Sequence, residues 1–184
     1  KRTAESKYLP AIDIIINLAG SNIAKKKWTS SRKEDLVNSR INSIEFLKSL
    51  AKKMPKLQYY ISASGINCYD YNTPHEKTEE DTFGEHFLSH LVEDWEIASD
   101  GFQDICPVAK LRIAMVLHKR GGALKKIMRA ANLGLGSPIG TGKQYIPWIH
   151  IDDLCNMFIF CIENNISGTY NAANGYISNK NFMK

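Results

Sequence analysis

Two stretches place small and polar side chains directly after apolar, β-branched runs. Asn17-Leu18-Ala19-Gly20 follows the run from Ile12, and Ser62-Ala63-Ser64-Gly65 follows Leu57 to Ile61. Such residues let a flat or phosphorylated ligand come close to the backbone; they also make ordinary turns. Lys25-Lys26-Lys27 beside Trp28 has the makeup of an anion patch or of a solvated loop. His86 and His90 stand one helical turn apart, but Phe87-Leu88 departs from the His-Glu-x-x-His pattern, which favours a solvated helix face over a metal site. Gly136 to Lys143 imitates a phosphate-binding loop. Five residues rather than four precede Gly142-Lys143, however, and Gln144 stands where a hydroxyl would hold magnesium, so neither a phosphate loop nor a metal is assigned there.

The elements that would position these residues follow from periodicity. Ile12 to Asn17 reads as a buried strand running into a glycine turn. From Ser30 or Ser31, with Glu34 and Asp35 expected in the first turn, Leu36, Val37, Ile41, Ile44, Leu47 and Leu50 recur at helical spacing until Pro55. Leu57 to Ile61 is a second strand, the acidic stretch Asp70 to Glu85 a long loop, and Phe87 to Gly101 a second helix. Val108 to Leu117 reads as one third strand, Gly122 to Leu133 as a helix, Gln144 to Ile149 as extended, Asp152 to Glu163 as a helix and Gly168 to Ala172 as a last strand. Strands alternating with helices of crossover length predict an α/β chain with a parallel sheet covered on both faces.

The 184 residues, 43% hydrophobic, suffice for one domain with a real core, which excludes disorder and fibre. The net charge of +5 is unevenly spread: 13 basic and 5 acidic residues from Lys1 to Lys56 (+8), 1 and 11 from Asp70 to Asp104 (−10), and 10 and 3 from Ile105 onward (+7). An acidic block between two basic ones argues against a continuous nucleic-acid surface. No apolar run approaches the ~20 residues that span a bilayer, so no membrane partner is expected. Cysteines 68, 106, 155 and 161 show neither metal-site nor disulfide spacing and suit the reduced thiols of a cytoplasmic protein.

Asn17-Leu18-Ala19-Gly20, Trp28-Thr29, Ser39-Arg40-Ile41, Ser62-Ala63-Ser64, Leu111-Arg112-Ile113, Gly121-Gly122-Ala123-Leu124, Leu133-Gly134-Leu135-Gly136 and Trp148-Ile149-His150-Ile151-Asp152-Asp153-Leu154 occur in this order. In that order they resemble the atypical, epimerase-like group of extended short-chain dehydrogenases/reductases, the NAD-dependent epimerase/dehydratase type. The resemblance runs from about Ile12 to the end. It implies a Rossmann-like doubly wound parallel sheet, with residues 1–184 forming a partial NAD(P)-binding domain and residues 118–150 and 168–184 part of a small substrate lobe. Members begin with a strand and a Gly-x-x-Gly-x-x-Gly turn for the coenzyme pyrophosphate and end with a further C-terminal segment. Neither is found here, so a fragment is expected, or a sequence with segments dropped and a junction in its first ten residues.

The resemblance also implies roles. NADP or NAD would be lined by Asn17, Leu18, Ala19, Gly20, Ser62, Ala63 and Val116, at strand ends. Arg40 falls where extended relatives usually carry an asparagine facing the active site, and would grip a coenzyme phosphate or substrate anion unless it forms a surface ion pair. Ser64 matches the serine that orients the substrate oxygen. The tyrosine and lysine that relatives use as general acid/base align with Leu88 and Val92, so this dyad is missing. Tyr69 is the expected substitute proton donor, with Tyr71 and His150 as alternatives. Trp28, Trp148 and His150 border the substrate pocket or simply pack, and Arg112 is expected in a structural ion pair or as a buried cap. The resulting expectation is an NAD(P)-dependent oxidoreductase or epimerase-like protein acting on a small molecule, nucleotide-linked or carbonyl-bearing, in a chain that could dimerise with itself. The alternative is a non-catalytic NAD(P)H-binding regulator.

Overall fold

The computed structural model describes residues 7–70, 76–119, 121, 122, 124, 127, 128 and 141–182. Most of the helix expected over Gly122 to Leu133, together with Tyr71 and the glycine-rich stretch 134–140, lies outside these residues.

The apolar runs become β1 (Ile14–Asn17), β2 (Tyr59–Gly65), β3 (Val108–Ile113) and β6 (Gly168–Ala172). They form one sheet in the order β1-β2-β3-β6 with every neighbouring pair parallel. Each crossover carries a helix. α1 (Ser30–Leu50) joins β1 to β2, α2 (Phe87–Asp100) joins β2 to β3, and α3 (Ile151–Glu163) precedes β6.

Alternation along β2 distributes its side chains between two cores. Tyr60 faces the layer of α1 and α2, where Leu36, Ile44, Leu91, Val92, Trp95 and Phe102 pack, and its ring stacks on Phe102 at 4.0 Å. Tyr59 and Ile61 face the opposite layer, built around Leu154 and Cys161 of α3. The α1 start is fixed by Thr29, whose side chain accepts from the Arg32 amide; Glu34 and Asp35 therefore sit beyond the first turn in which they were expected.

The single strand expected over Val108 to Leu117 is two. At Ala114 the chain leaves the main sheet, its amide held by the Ala172 carbonyl. β4 (Met115–Leu117) then pairs in parallel with β5 (Tyr145–His150), which pairs antiparallel with β7 (Gly175–Ser178) in a separate three-stranded sheet. Val116 thus ends no strand of the main sheet; it pairs with Ile149. A short helix α4 (Asn179–Phe182) follows β7. Among the described residues no helix is long and apolar enough to cross a membrane.

The entry to β6 depends on Gly168, whose φ of +117° is a conformation open essentially to glycine alone. Gly168→Ala is expected to lower stability by about 1 to 3 kcal/mol, read from the urea midpoint at unchanged m-value.

Candidate functional site

The carboxyl ends of β2 and β3 meet one buried face of α2. By strand alternation Ser62 and Ser64 point, like Tyr60, toward that helix. Ser62 Oγ accepts from Ser99 Oγ at 2.9 Å, and Ser64 Oγ donates to Glu96 Oε1 at 2.6 Å. Glu96 also receives a bidentate pair from Arg112, Nε to Oε1 and Nη2 to Oε2, both 2.9 Å. Arg112 Nη1 donates to the Tyr69 hydroxyl at 2.7 Å, which in turn donates to Asn171 Oδ1 at 2.9 Å. Phe83 and Tyr69 flank the guanidinium with their rings. This buried pair fulfils the structural role expected of Arg112. Burial pulls its pKa down, but the hydrogen bonds and charge of Glu96 more than reverse this, and the net shift is upward.

The same contacts bear on Ser64 and Tyr69. Both are buried, and each hydroxyl has its hydrogen committed inside the protein. Burial raises the Tyr69 pKa, with partial opposition from Arg112 and Asn171. Ser62 faces α2 rather than an opening at the strand end, because the period of two turns it sideways. Ala63, the small residue between the two serines, is also buried.

The end of β1 forms a second cluster. Asn17 is buried, donating to the Tyr60 hydroxyl at 3.0 Å and accepting from the Ala19 amide at 3.1 Å, so it closes the strand end as an Asx turn. Leu18, Ala19 and Gly20 are exposed after it. Arg40 reaches the same place from α1. It is only 8% exposed, so it is not the surface pair that was the alternative. Its Nη1 donates to the carbonyls of Leu36 at 2.9 Å and Ser21 at 3.3 Å, and its guanidinium lies 4.7 Å over the Trp95 ring. Nε is buried with no acceptor. Burial first, then the charge of Arg32, lowers the Arg40 pKa.

The remaining candidates lie apart from this pair of clusters. Trp28 donates to the Ile23 carbonyl at 2.8 Å and meets Phe87 edge-on at 5.6 Å, tying the β1–α1 loop to the start of α2. Trp148 lies in β5 against Gly175, half-buried. His150 caps α3, its Nδ1 accepting from the Asp152 amide at 3.3 Å. His86 caps α2 in the same way, a structural task for one of the two histidines at helical spacing.

A family model described as the NAD dependent epimerase/dehydratase family matches residues 2–173. The chain belongs to that family. Among curated relatives it is 33% identical over 168 residues to the mouse Epimerase family protein SDR39U1, and 35% identical over 172 residues to Epimerase family protein SA0724 of Staphylococcus aureus. These alignments take in 89% and 91% of this chain, which spans 57% of the length of either relative. Among solved structures, human SDR39U1 (isoform 2) with NADPH superposes with a TM-score of 0.87 at 31% identity, covering 95% of this chain and 61% of that one. The nucleoside-diphosphate sugar epimerase of Corynebacterium glutamicum gives 0.82 at 31% identity over 98% and 39%. These likenesses make the fold Rossmann-like, as the sequence implied.

α2 carries Leu88 and Val92, the residues that the resemblance would put in place of the dyad. Both are buried, and Val92 packs in the apolar core. From the sequence, Glu96 serves only to align α2 with the family it resembles, and neither Glu96 nor Trp95 is given a role in the site. The signal was present for Glu96: it falls four residues after Val92 on the apolar stripe of α2, where an unpaired carboxylate would be costly, while Arg112 sits in an apolar strand.

Proposed function

We propose that this chain is the greater part of an NAD(P)H-binding, epimerase-like oxidoreductase in which the usual Tyr-x-x-x-Lys dyad is absent. The observation that carries the proposal is the β1 end: an exposed Leu18-Ala19-Gly20 segment beside a buried guanidinium with an unused donor. These residues fit a dinucleotide, since Ala19 and Gly20 leave the backbone open and Arg40 Nε awaits an acceptor.

In that role Leu18, Ala19, Gly20 and Ala63 line the coenzyme, and Arg40 binds a phosphate or an anionic group of the substrate. Asn17 and Ser62 act from beneath, by fixing the strand ends. The coenzyme would supply hydride chemistry next to the β2 end. Ser64 accepts a hydrogen bond there while its own hydrogen stays on Glu96. Tyr69, joined to the Glu96 pair through Arg112, is the proposed proton donor and must release Asn171 to serve. Trp28, Trp148, His150 and Val116 would face the substrate from the β1–α1 loop and the smaller sheet. The substrate class proposed is a small carbonyl-bearing or nucleotide-linked molecule, and the setting cytoplasmic.

Arg40→Ala should weaken NADPH binding roughly 10- to 150-fold, as expected for losing a hydrogen bond of about 1.5 to 3 kcal/mol to a charged group. Arg40→Lys should restore only part, lacking the planar fork. Fluorescence of bound NADPH checks both. Unchanged NADPH affinity with a lowered melting temperature would remove Arg40 from the coenzyme site and leave it to bind a substrate anion or to pack. A non-catalytic regulator is the second reading, favoured by the commitment of both hydroxyl hydrogens. NADPH oxidation followed against a panel of carbonyl compounds and sugar nucleotides separates it from an enzyme.

A further inference from the structure

Among the described residues, three buried side-chain polar atoms lack a hydrogen-bond partner: Arg32 Nε, Arg40 Nε and Trp95 Nε1. All three are donors, and they belong to one neighbourhood. Arg40 lies over the Trp95 ring. Arg32 is close enough for its charge to act on Arg40. The two guanidiniums also hold successive carbonyls of the β1–α1 loop, Arg40 that of Ser21 and Arg32 that of Asn22, the latter at 2.7 Å.

No carboxylate neutralises Arg40 among the described residues, and the one near Arg32, on Asp35, stands 3.8 Å away and is largely exposed. A guanidinium stripped of water costs several kcal/mol unless an anion offsets it, and two such groups side by side repel. Arg112, paired with Glu96 of α2, shows how this chain satisfies a buried guanidinium when the partner is internal. Gly20 packs closely on the same guanidinium: a Cβ there would stand 3.0 Å from Cζ, 3.2 Å from Nη2 and 3.3 Å from Nε, so only a residue without a side chain lets the β1–α1 loop lie this near.

We propose that Arg32, Arg40 and Trp95 form one oxyanion site beside Gly20, built for a phosphate or carboxylate group. Two arginine forks and an indole N–H supply donors only, which suits an acceptor-only ligand. This deepens the reading of Arg40 above, adding Arg32 and Trp95 to it, and it does not require turnover. The anion belongs either to the dinucleotide or to the substrate.

The test uses inorganic phosphate as probe on the protein at its full natural length, with sodium chloride at matched ionic strength as the control. Phosphate should raise the melting temperature by about 3 to 6 °C at tenfold excess over its Kd. Trp95→Phe, which keeps an aromatic ring and removes one unpaired donor, should lose at least half of the phosphate shift, measured from its own ligand-free melting temperature. Arg32→Gln should abolish the shift. Repeating the titration at saturating NADPH separates the sources: loss of the shift assigns the site to a coenzyme phosphate, and its persistence assigns it to a substrate anion. A phosphate shift no larger than that of chloride, or one left intact in both variants, overturns the proposal. A phosphate shift in a protein that binds no NADPH would leave the oxyanion site standing and remove the coenzyme reading instead.

Discussion

Glu96→Leu is expected to destabilise the protein by about 3 to 5 kcal/mol, the cost of leaving one member of a buried ion pair uncompensated. Arg112 would lose both arms of its bidentate contact, and Ser64 the acceptor for its hydroxyl. A loss of this size is a large share of a typical domain's net stability of 5 to 15 kcal/mol. The double variant Glu96→Leu/Arg112→Met should recover much of it, because apolar residues of similar volume often replace a buried pair without penalty. Urea denaturation of the wild type, both single variants and the double variant gives the coupling energy; additive losses would show that the pair is not the unit that matters. The Arg112 pKa is raised above its ordinary value, so its part of the stabilisation is fully present below that value and is lost only as pH rises through the still higher folded pKa. No alkaline weakening of the pair is therefore expected across the neutral range.

Turnover on UDP-sugars is expected to be slow or absent, by a factor of ~10² to 10⁴ relative to an enzyme with a positioned acid. Hydride transfer to a carbonyl builds negative charge on its oxygen, and apolar Leu88 and Val92 supply neither proton nor cation. Ser64 cannot stand in, since a serine hydroxyl does not give up its proton near neutral pH and this one is held by Glu96. Tyr69 is a phenol whose pKa burial raises, with its hydrogen on Asn171. His150 uses its Nδ1 to cap α3. An epimerisation rate in the ordinary range of ~1 to 10³ per second would mean that the acid lies elsewhere. If slow carbonyl reduction is found, Tyr69→Phe, His150→Gln and Ser64→Ala should be compared. Loss confined to Ser64→Ala leaves water as the proton source; loss in Tyr69→Phe identifies the phenol.

The features legible in the sequence are those set by local periodicity. The run Ile14 to Ile16, the stripe through Leu88, Leu91, Val92 and Trp95, and the small residues after β1 and β2 each carry their own signal. The break at Ala114 carries none, because the apolar run continues through it and only the Ala172 carbonyl, from a distant strand, draws the backbone aside. Ser62 and Ser64 were read as a strand end open to a ligand. Alternation in fact turns both toward α2, a consequence of period two that becomes visible once Tyr60 and Phe102 define the inner face. Arg32 and Trp95 escaped notice for a different reason. Neither belongs to a motif, and their meaning arises only where α1, α2 and the β1–α1 loop converge.

Binding of the nicotinamide dinucleotide is the claim on which the rest depends, and calorimetric titration of the full-length protein with NADPH and with NADH tests it most directly. The account predicts saturable one-to-one binding of at least one of the two, weakened in Arg40→Ala. No detectable heat or saturation with either coenzyme, in a protein that melts cooperatively, would contradict it.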